Sequence, residues 1–121
     1  MSWRNATRLS WPIWKRAAWA YIKHCGFQVG AIMMDVAIRR YAAHHGHASK
    51  YHHTLTAAWM HLVAAHAVPH AAQTFDAFIE RHGRLLDKRL IERFYSREVL
   101  FSDCARKSWM EPDLRPFPEI A

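Results

Sequence analysis

The chain has 121 residues, of which 51% are hydrophobic, so it is long enough for one domain with a core and too apolar to be largely disordered. Its apolar runs are too short to cross a bilayer, and two cysteines are too few for a disulfide framework. The formal net charge of +7 favours anionic partners, such as nucleic acids, acidic proteins, anionic lipids and carboxylated or phosphorylated small molecules.

The cysteines bear on the cellular compartment of the protein, and residues 1–9 bear on the structure of its N-terminal region. Cys25 and Cys104 lack CxxC or zinc-finger spacing, so we interpret both as reduced thiols of a cytoplasmic protein; a single bridge between them stays open. Residues 1–9 carry Arg4 and Arg8 without helical periodicity or a following apolar segment. They argue against a secretory signal and predict a loose N-terminal arm.

The first predicted helix begins near Ser10, a suitable N-cap, with Pro12 in its first turn, and ends at Gly26. One apolar face is predicted to consist of Trp11, Trp14, Ala18, Tyr21, Ile22 and Cys25. Off that face lie Lys15, Arg16, Trp19 and Lys23. We interpret Trp19 as packed beneath another element, because isolated aromatic side chains usually serve packing.

The second predicted helix runs from about Phe27 to His45 and ends at Gly46. It is apolar on two nearly opposite sides. One stripe consists of Phe27, Gly30, Ala31, Met34, Ile38 and Tyr41, and the other of Val29, Ile32, Met33 and Val36. A helix that is apolar on most sides is buried on most sides, so this one is predicted to lie at the centre of a bundle or in a homo-oligomer interface.

Five histidines fall within residues 44–53. Neutral imidazoles in such tracts can bind a divalent transition metal, and His45, His47 and His52 are the candidate ligands. The sequence has no HExxH motif to support this. The alternative is a solvated connection between helices, in which a histidine suits the helix C-terminus.

The third predicted helix covers about residues 52–67, with Ser49 or Thr54 as its cap. His52, Thr56, Trp59, Val63 and His66 share its inward side, whereas His61 is predicted to face solvent. Polar groups on a core face need partners, so a polar pocket or a buried network is predicted around His52. The candidate ligand-binding residues are His52, Thr56, Trp59, Tyr51 and Tyr95. The alternative is that His52 is a hydrogen-bonded core histidine.

The C-terminal part is predicted to be divided into shorter elements. Thr74 caps a helix that stops at Gly83, and a further helix covers residues 84–95. That helix would have an apolar stripe of Leu86, Leu90 and Phe94, and a basic stripe of Arg89, Arg93 and Arg97. A basic stripe can bind a phosphate backbone, but the favoured interpretation here is a solvated face, because Asp87, Glu92 and Glu98 dilute its charge. Ser96 and Ser102 are suitable caps for short final turns. Residues 108–121 contain three prolines and are predicted as an extended tail packed on the body.

Several of these segments resemble a group of small bacterial proteins of undefined function. They are the run Tyr51-His52-x-Thr54-Leu55-Thr56, Trp59, Leu86-Asp87-Lys88-Arg89, Tyr95-Ser96, Leu100-Phe101-Ser102 and Glu111-Pro112-Asp113-Leu114. The resemblance spans roughly residues 50–115 and implies a common helical fold, without an activity. His53 stands where an acidic residue is common in that group.

The sequence therefore predicts a single all-α domain, a bundle of four to five helices with an extended tail that contains proline. Three functions are expected in order: binding of a small ligand or metal at a histidine-centred pocket, homo-oligomeric interaction without catalysis, and nucleic-acid binding through a basic surface. No recognised nucleic-acid motif is present. Whether the protein is an enzyme stays open.

Overall fold

A computed structural model of the chain describes residues 11–46, 51–67 and 74–120. Within these ranges the chain forms five α-helices and two 3₁₀ helices and has no strand, which confirms the predicted all-α fold. The α-helices are α1 (Trp11–His44), α2 (His53–His66), α3 (Phe75–Arg81), α4 (Arg97–Leu100) and α5 (Asp103–Lys107), and the 3₁₀ helices cover Gly83–Leu86 and Lys88–Arg93. None of the described helices is long and apolar enough to cross a membrane. The predicted N-terminal arm lies outside the described residues.

Helix α1 is bent at Gly26, which has φ 78° and ψ 177°. Residues with a side chain rarely adopt this positive φ, so glycine is the suitable residue at the bend. The bend divides α1 into a first arm, residues 11–25, and a second arm, residues 27–44. The predicted break at Gly26 is therefore confirmed, as is the helix end before Gly46.

The two arms of α1 approach closely at Gly30. A Cβ added to Gly30 would lie 3.0 Å from the backbone carbon and oxygen of Tyr21 and 3.1 Å from the backbone nitrogen of Ile22. No side chain fits between the two backbones. The second arm therefore turns its Gly30 side toward the first arm.

The core lies between the arms of α1, α2 and the C-terminal elements. Nine of the 14 residues of α2 are buried, which agrees with its predicted apolar pattern. From the second arm, Gly30, Met34 and Ile38 are buried, so the stripe predicted to face the core does so.

Two predictions for the first arm are wrong. Cys25 is exposed, because the helix ends there and turns away at the bend. Lys15 is only 1% exposed and lies with its Nζ 3.1 Å from the centre of the Trp59 ring. Trp19 is buried against Phe75, at a ring separation of 5.7 Å, which confirms its packing role. The side chains of Trp11 and Trp14 lie outside the described part of the chain.

The prediction of a single helix over residues 84–95 is also wrong. Asp87 interrupts it, because its carboxylate accepts a 2.9 Å hydrogen bond from the Arg89 backbone N–H and caps a new 3₁₀ helix. A 3₁₀ helix has 3.0 residues per turn, so Arg89 and Arg93, four residues apart, do not share a face. The predicted basic stripe is therefore not continuous. Thr74, Ser96 and Ser102 do cap α3, α4 and α5 as predicted.

Candidate functional site

His52 is the N-cap of α2, in place of the predicted Ser49 or Thr54. Its Nδ1 accepts a 3.0 Å hydrogen bond from the Leu55 backbone N–H, and its Nε2 donates a 2.6 Å bond to the Leu100 carbonyl. These partners require the neutral tautomer with the proton on Nε2. Burial lowers the pKa of His52 below its ordinary value, which favours the same neutral form. His52 thus joins the start of α2 to the end of α4.

The two threonines that follow are buried and hydrogen-bonded. Thr56 donates a 3.0 Å bond from its hydroxyl to the His52 carbonyl, not to the imidazole. Thr54 donates a 2.7 Å bond to the Ser108 carbonyl and accepts a 3.1 Å bond from the Met110 N–H. One hydroxyl of α2 therefore holds two backbone groups of a segment more than 50 residues away.

A second set of bonds holds the same C-terminal segment from the other side. Tyr95 donates a 2.7 Å bond from its hydroxyl to the Met110 carbonyl. The Asp113 carboxylate accepts a 2.8 Å bond from the Ser96 N–H, and the Leu114 N–H donates to the Phe94 carbonyl at 3.0 Å. Hydrogen bonding from the Ser96 side chain, and after it from the Ser96 backbone, lowers the pKa of Asp113. Burial raises the pKa of Tyr95 above its ordinary value. These bonds join residues 94–96 to residues 110–114 of the tail.

The five predicted ligand-binding residues do not converge on one space. His52 and Thr56 are joined through the His52 backbone, and Tyr95 points to the tail. Trp59 is buried beneath Lys15, whose pKa is lowered well below its ordinary value by the same burial. Tyr51 belongs to a separate cluster. The polar network predicted around His52 exists, and its hydrogen-bonding groups contact protein partners.

The cluster around Tyr51 joins α1 to the start of α2. The Tyr51 hydroxyl donates to the Asp35 carboxylate, which also accepts a 3.0 Å bond from Arg39 Nε. The His53 Nδ1 lies 3.3 Å from Arg39 Nη2 and 3.3 Å from the Tyr51 hydroxyl. The Arg39 guanidinium also lies 4.3 Å from the centre of the Tyr51 ring. Asp35 and Arg39 were not among the predicted site residues; they share this cluster because they are one helical turn apart.

The predicted metal site gains no support from the described residues. A histidine binds a metal through the lone pair of a ring nitrogen, and both ring nitrogens of His52 are already in hydrogen bonds. His45 is exposed beside His44 and Tyr41, and His47 lies outside the described ranges. Within those ranges, no three His, Cys, Asp or Glu side chains are placed to hold an ion together.

The predictions for His61 and His66 of α2 are both wrong, because His61 was expected to face solvent and His66 to face the core. His61 is half-buried, and its ring stacks 5.2 Å from both Trp109 and Phe117 of the tail. His66 is exposed and stacks 4.6 Å from His82, because α2 ends at this residue and its ring lies over the surface. Burial lowers the pKa of His61 below the ordinary value. The pKa of His66 is also lowered, first by partial desolvation of its ring and then by the charge of His82.

The outer side of the second arm carries an apolar surface, which we call the outer stripe. Its members are Val29, Ile32, Met33 and Val36, which are 52%, 65%, 41% and 46% exposed. The opposite side of the same helix is in the core. This is the second apolar stripe predicted from the sequence, and no element among the described residues covers it.

Comparisons with protein-family models, with curated proteins and with solved structures find no match to this chain.

Proposed function

We propose that this protein is an interaction module without catalytic activity, which pairs with a second copy of itself through the outer stripe. The observation that carries the proposal is the exposure of four large apolar side chains, side by side, on a helix whose other side is buried. Contiguous exposed apolar patches on soluble domains commonly mark interaction sites.

The second arm cannot bury the outer stripe by rotating without exposing its inner side. Gly30, on its inner side, lies so close to the first arm that a Cβ there would be 3.0 Å from the backbone of Tyr21. Met34 and Ile38, on its inner side, are 1% and 3% exposed. Turning the outer stripe inward would bring these two side chains out, so rotation of this helix does not bury the stripe among the described elements.

The chemistry of the stripe favours a like surface as its partner. It contains no charged side chain, and the Met33 Sδ accepts its 3.7 Å hydrogen bond from Cys25 Sγ of the same chain. On its flank, the carboxylate of Asp35 and the guanidinium of Arg39 are satisfied within the chain by each other and by Tyr51. An apolar surface gains most when it meets another apolar surface, and a second copy supplies one of the same size.

The alternative functions have less support. The hydrogen-bonding groups of the His52 network contact protein partners, which leaves the predicted pocket without groups aimed at a ligand. The basic stripe of the nucleic-acid hypothesis is interrupted by 3₁₀ geometry. The outer stripe spans only about two helical turns, so the expected dimer is weak, with a dissociation constant in the micromolar range.

The test is the mass of the protein in solution as a function of concentration. We expect sedimentation equilibrium to give a dimer mass as the concentration rises to about 100 µM. Residues 1–50 carry eight Lys and Arg against one Asp, so copies repel each other and added salt should strengthen pairing. An acidic partner would be released by salt instead.

The variant Ile32→Glu should abolish pairing, because it places a carboxylate in the centre of the apolar surface. The matched control is Leu114→Glu, since Leu114 is 58% exposed and lies outside the outer stripe. A monomer mass for the native chain at every concentration, or equal loss of pairing in both variants, would contradict the proposal.

A further inference from the structure

The bend in α1 brings two sulfur atoms together. Cys25 is the last residue before Gly26, and Met33 lies about two turns into the second arm. In a straight helix, residues eight positions apart are separated by about 12 Å along the axis. Here the chain turns at Gly26, and the Cys25 Sγ donates a 3.7 Å hydrogen bond to the Met33 Sδ. Cys25 is exposed and Met33 is 41% exposed, so solutes can reach both side chains.

The distance between the two sulfurs suits a shared metal ion. A metal–sulfur bond is about 2.3 Å long, so two sulfurs 3.7 Å apart subtend an angle of about 107° at one ion. This is close to the angle of about 109° between neighbouring ligands of a tetrahedral site. A thiol is a weak donor and a thioether a weak acceptor, so little is lost when an ion takes the place of the thiol proton.

The chemistry of the two donors selects the kind of ion. A thiolate and a thioether are soft ligands, which favour Cu(I), whereas Mg²⁺ and Ca²⁺ prefer oxygen. Together the two donors carry one negative charge, which neutralises a monovalent ion. A divalent ion would leave a net positive charge beside the apolar outer stripe, in a chain whose formal net charge is already +7.

The surroundings of Cys25 leave room for a third ligand. A groove of about 470 Å³ lies at the bend, and Cys25, Gly26 and Val29 are among the residues that line it. Water or a small thiol in this groove can complete the coordination of an ion held by the two sulfurs. Exposed His24 precedes Cys25 and is a further donor residue that the test must include.

We propose that Cys25 and Met33 form a binding site for Cu(I) at the Gly26 bend. On binding, the thiol releases its proton to solvent, each sulfur donates one electron pair to the ion, and the copper stays in the +1 state. The site shares no residue with the histidine site predicted from the sequence. It does not depend on self-association, because both donors belong to one chain.

The test is competition for Cu(I) under anaerobic conditions, with ascorbate as reductant and the chromophoric chelator bicinchoninate in excess. All proteins carry Cys104→Ser, which removes the second exposed thiol. We expect the chain to take up one Cu(I), and Cys25→Ser to remove this binding. Removing a group that only supports a metal ligand lowers metal affinity by about 10–100-fold, so Met33→Leu, which removes a ligand itself, should weaken binding by about tenfold or more. The matched control Met34→Leu, at a buried methionine, should leave the affinity unchanged.

A second measurement follows the two methionines directly. With ¹³C-methyl-labelled methionine, one equivalent of Cu(I) should shift the NMR signal of the Met33 methyl group and leave that of Met34 in place. Equal affinities for Met33→Leu and Met34→Leu, without a shift of the Met33 signal, would mean an adventitious ion only and overturn the proposal. Loss of affinity in His24→Gln but not in Met33→Leu would assign the ion to Cys25 and His24, and would overturn it as well. A monomer mass by sedimentation would contradict the proposed function and leave this site unaffected.

Discussion

Replacing Thr54 with valine tests whether the tail is an integral part of the fold. Valine keeps the β-branched shape of threonine and removes only the hydroxyl. That hydroxyl is in a side chain that is 0% exposed, and it bonds to the Ser108 carbonyl and the Met110 N–H. The substitution therefore leaves two backbone groups of the tail without their protein partner.

The expected cost follows from these two bonds. A hydrogen bond contributes about 1 kcal/mol net, and a buried group left unpaired costs about 1–3 kcal/mol. Ser108 is exposed and Met110 is half-buried, so water partly replaces the lost partner and the low end of that range applies. We expect Thr54→Val to lower the free energy of unfolding by about 2 kcal/mol, out of about 5–15 kcal/mol for a typical domain.

The matched control is Thr56→Val, in the same helix and with the same chemical change. The Thr56 hydroxyl bonds only to the His52 carbonyl, which keeps its 3.1 Å bond from the Thr56 N–H. We expect this control to cost about 1 kcal/mol or less, because no backbone group loses its last partner. Urea unfolding followed by circular dichroism gives both values. Amide exchange should also accelerate at residues 108–114 in Thr54→Val alone. Equal destabilisation of the two variants would refute the reasoning.

Two further predictions concern the bend and the histidines. Gly30→Ala should lower the free energy of unfolding by about 1–3 kcal/mol, because the new Cβ meets the Tyr21 backbone at 3.0 Å. The control Gly83→Ala, with nothing within 4 Å of the new Cβ, should change it by less than about 0.5 kcal/mol. Similar urea midpoints for the two variants would contradict this prediction. Three imidazoles have a pKa lowered by burial, those of His52, His61 and His66. In acid, the unfolded chain therefore binds more protons than the folded chain. The stabilisation from the neutral imidazoles should be complete above the ordinary pKa of 6.5, and the free energy of unfolding should fall as the pH drops below that value. Urea titrations at several pH values between about 7.5 and 5 measure this slope, and a flat or rising profile toward acid would disagree with the burial of these rings.

Local signals in the sequence located most helix boundaries. Glycines mark the bend at Gly26 and the end of the second arm, and the side chains of Thr74, Ser96 and Ser102 cap helices as their chemistry predicts. These features depend on neighbours within four residues. Periodicity also identified both apolar stripes of the second arm, because each stripe repeats at helical spacing.

The errors arise where a distant segment decides the outcome. His52 caps α2, and the carbonyl that accepts the hydrogen bond from its Nε2 belongs to Leu100, 48 residues away. Lys15 is buried because Trp59 of α2 lies against it, and no pattern within the first arm reports that contact. The Tyr51 cluster likewise needs α1 and the start of α2 to meet. In residues 84–95, the capping carboxylate of Asp87 overrides an apolar pattern that is compatible with one α-helix.

The bonds of Thr54 have a consequence for the order in which the chain can fold during synthesis. The partners of this hydroxyl, at Ser108 and Met110, leave the ribosome after α2 and all of the elements between. At a translation rate of about 5–20 residues per second, these partners are synthesised roughly 3–10 s after Thr54, and its hydroxyl bonds to water in the interval. The native bonds of Thr54 therefore form only after the tail has been synthesised.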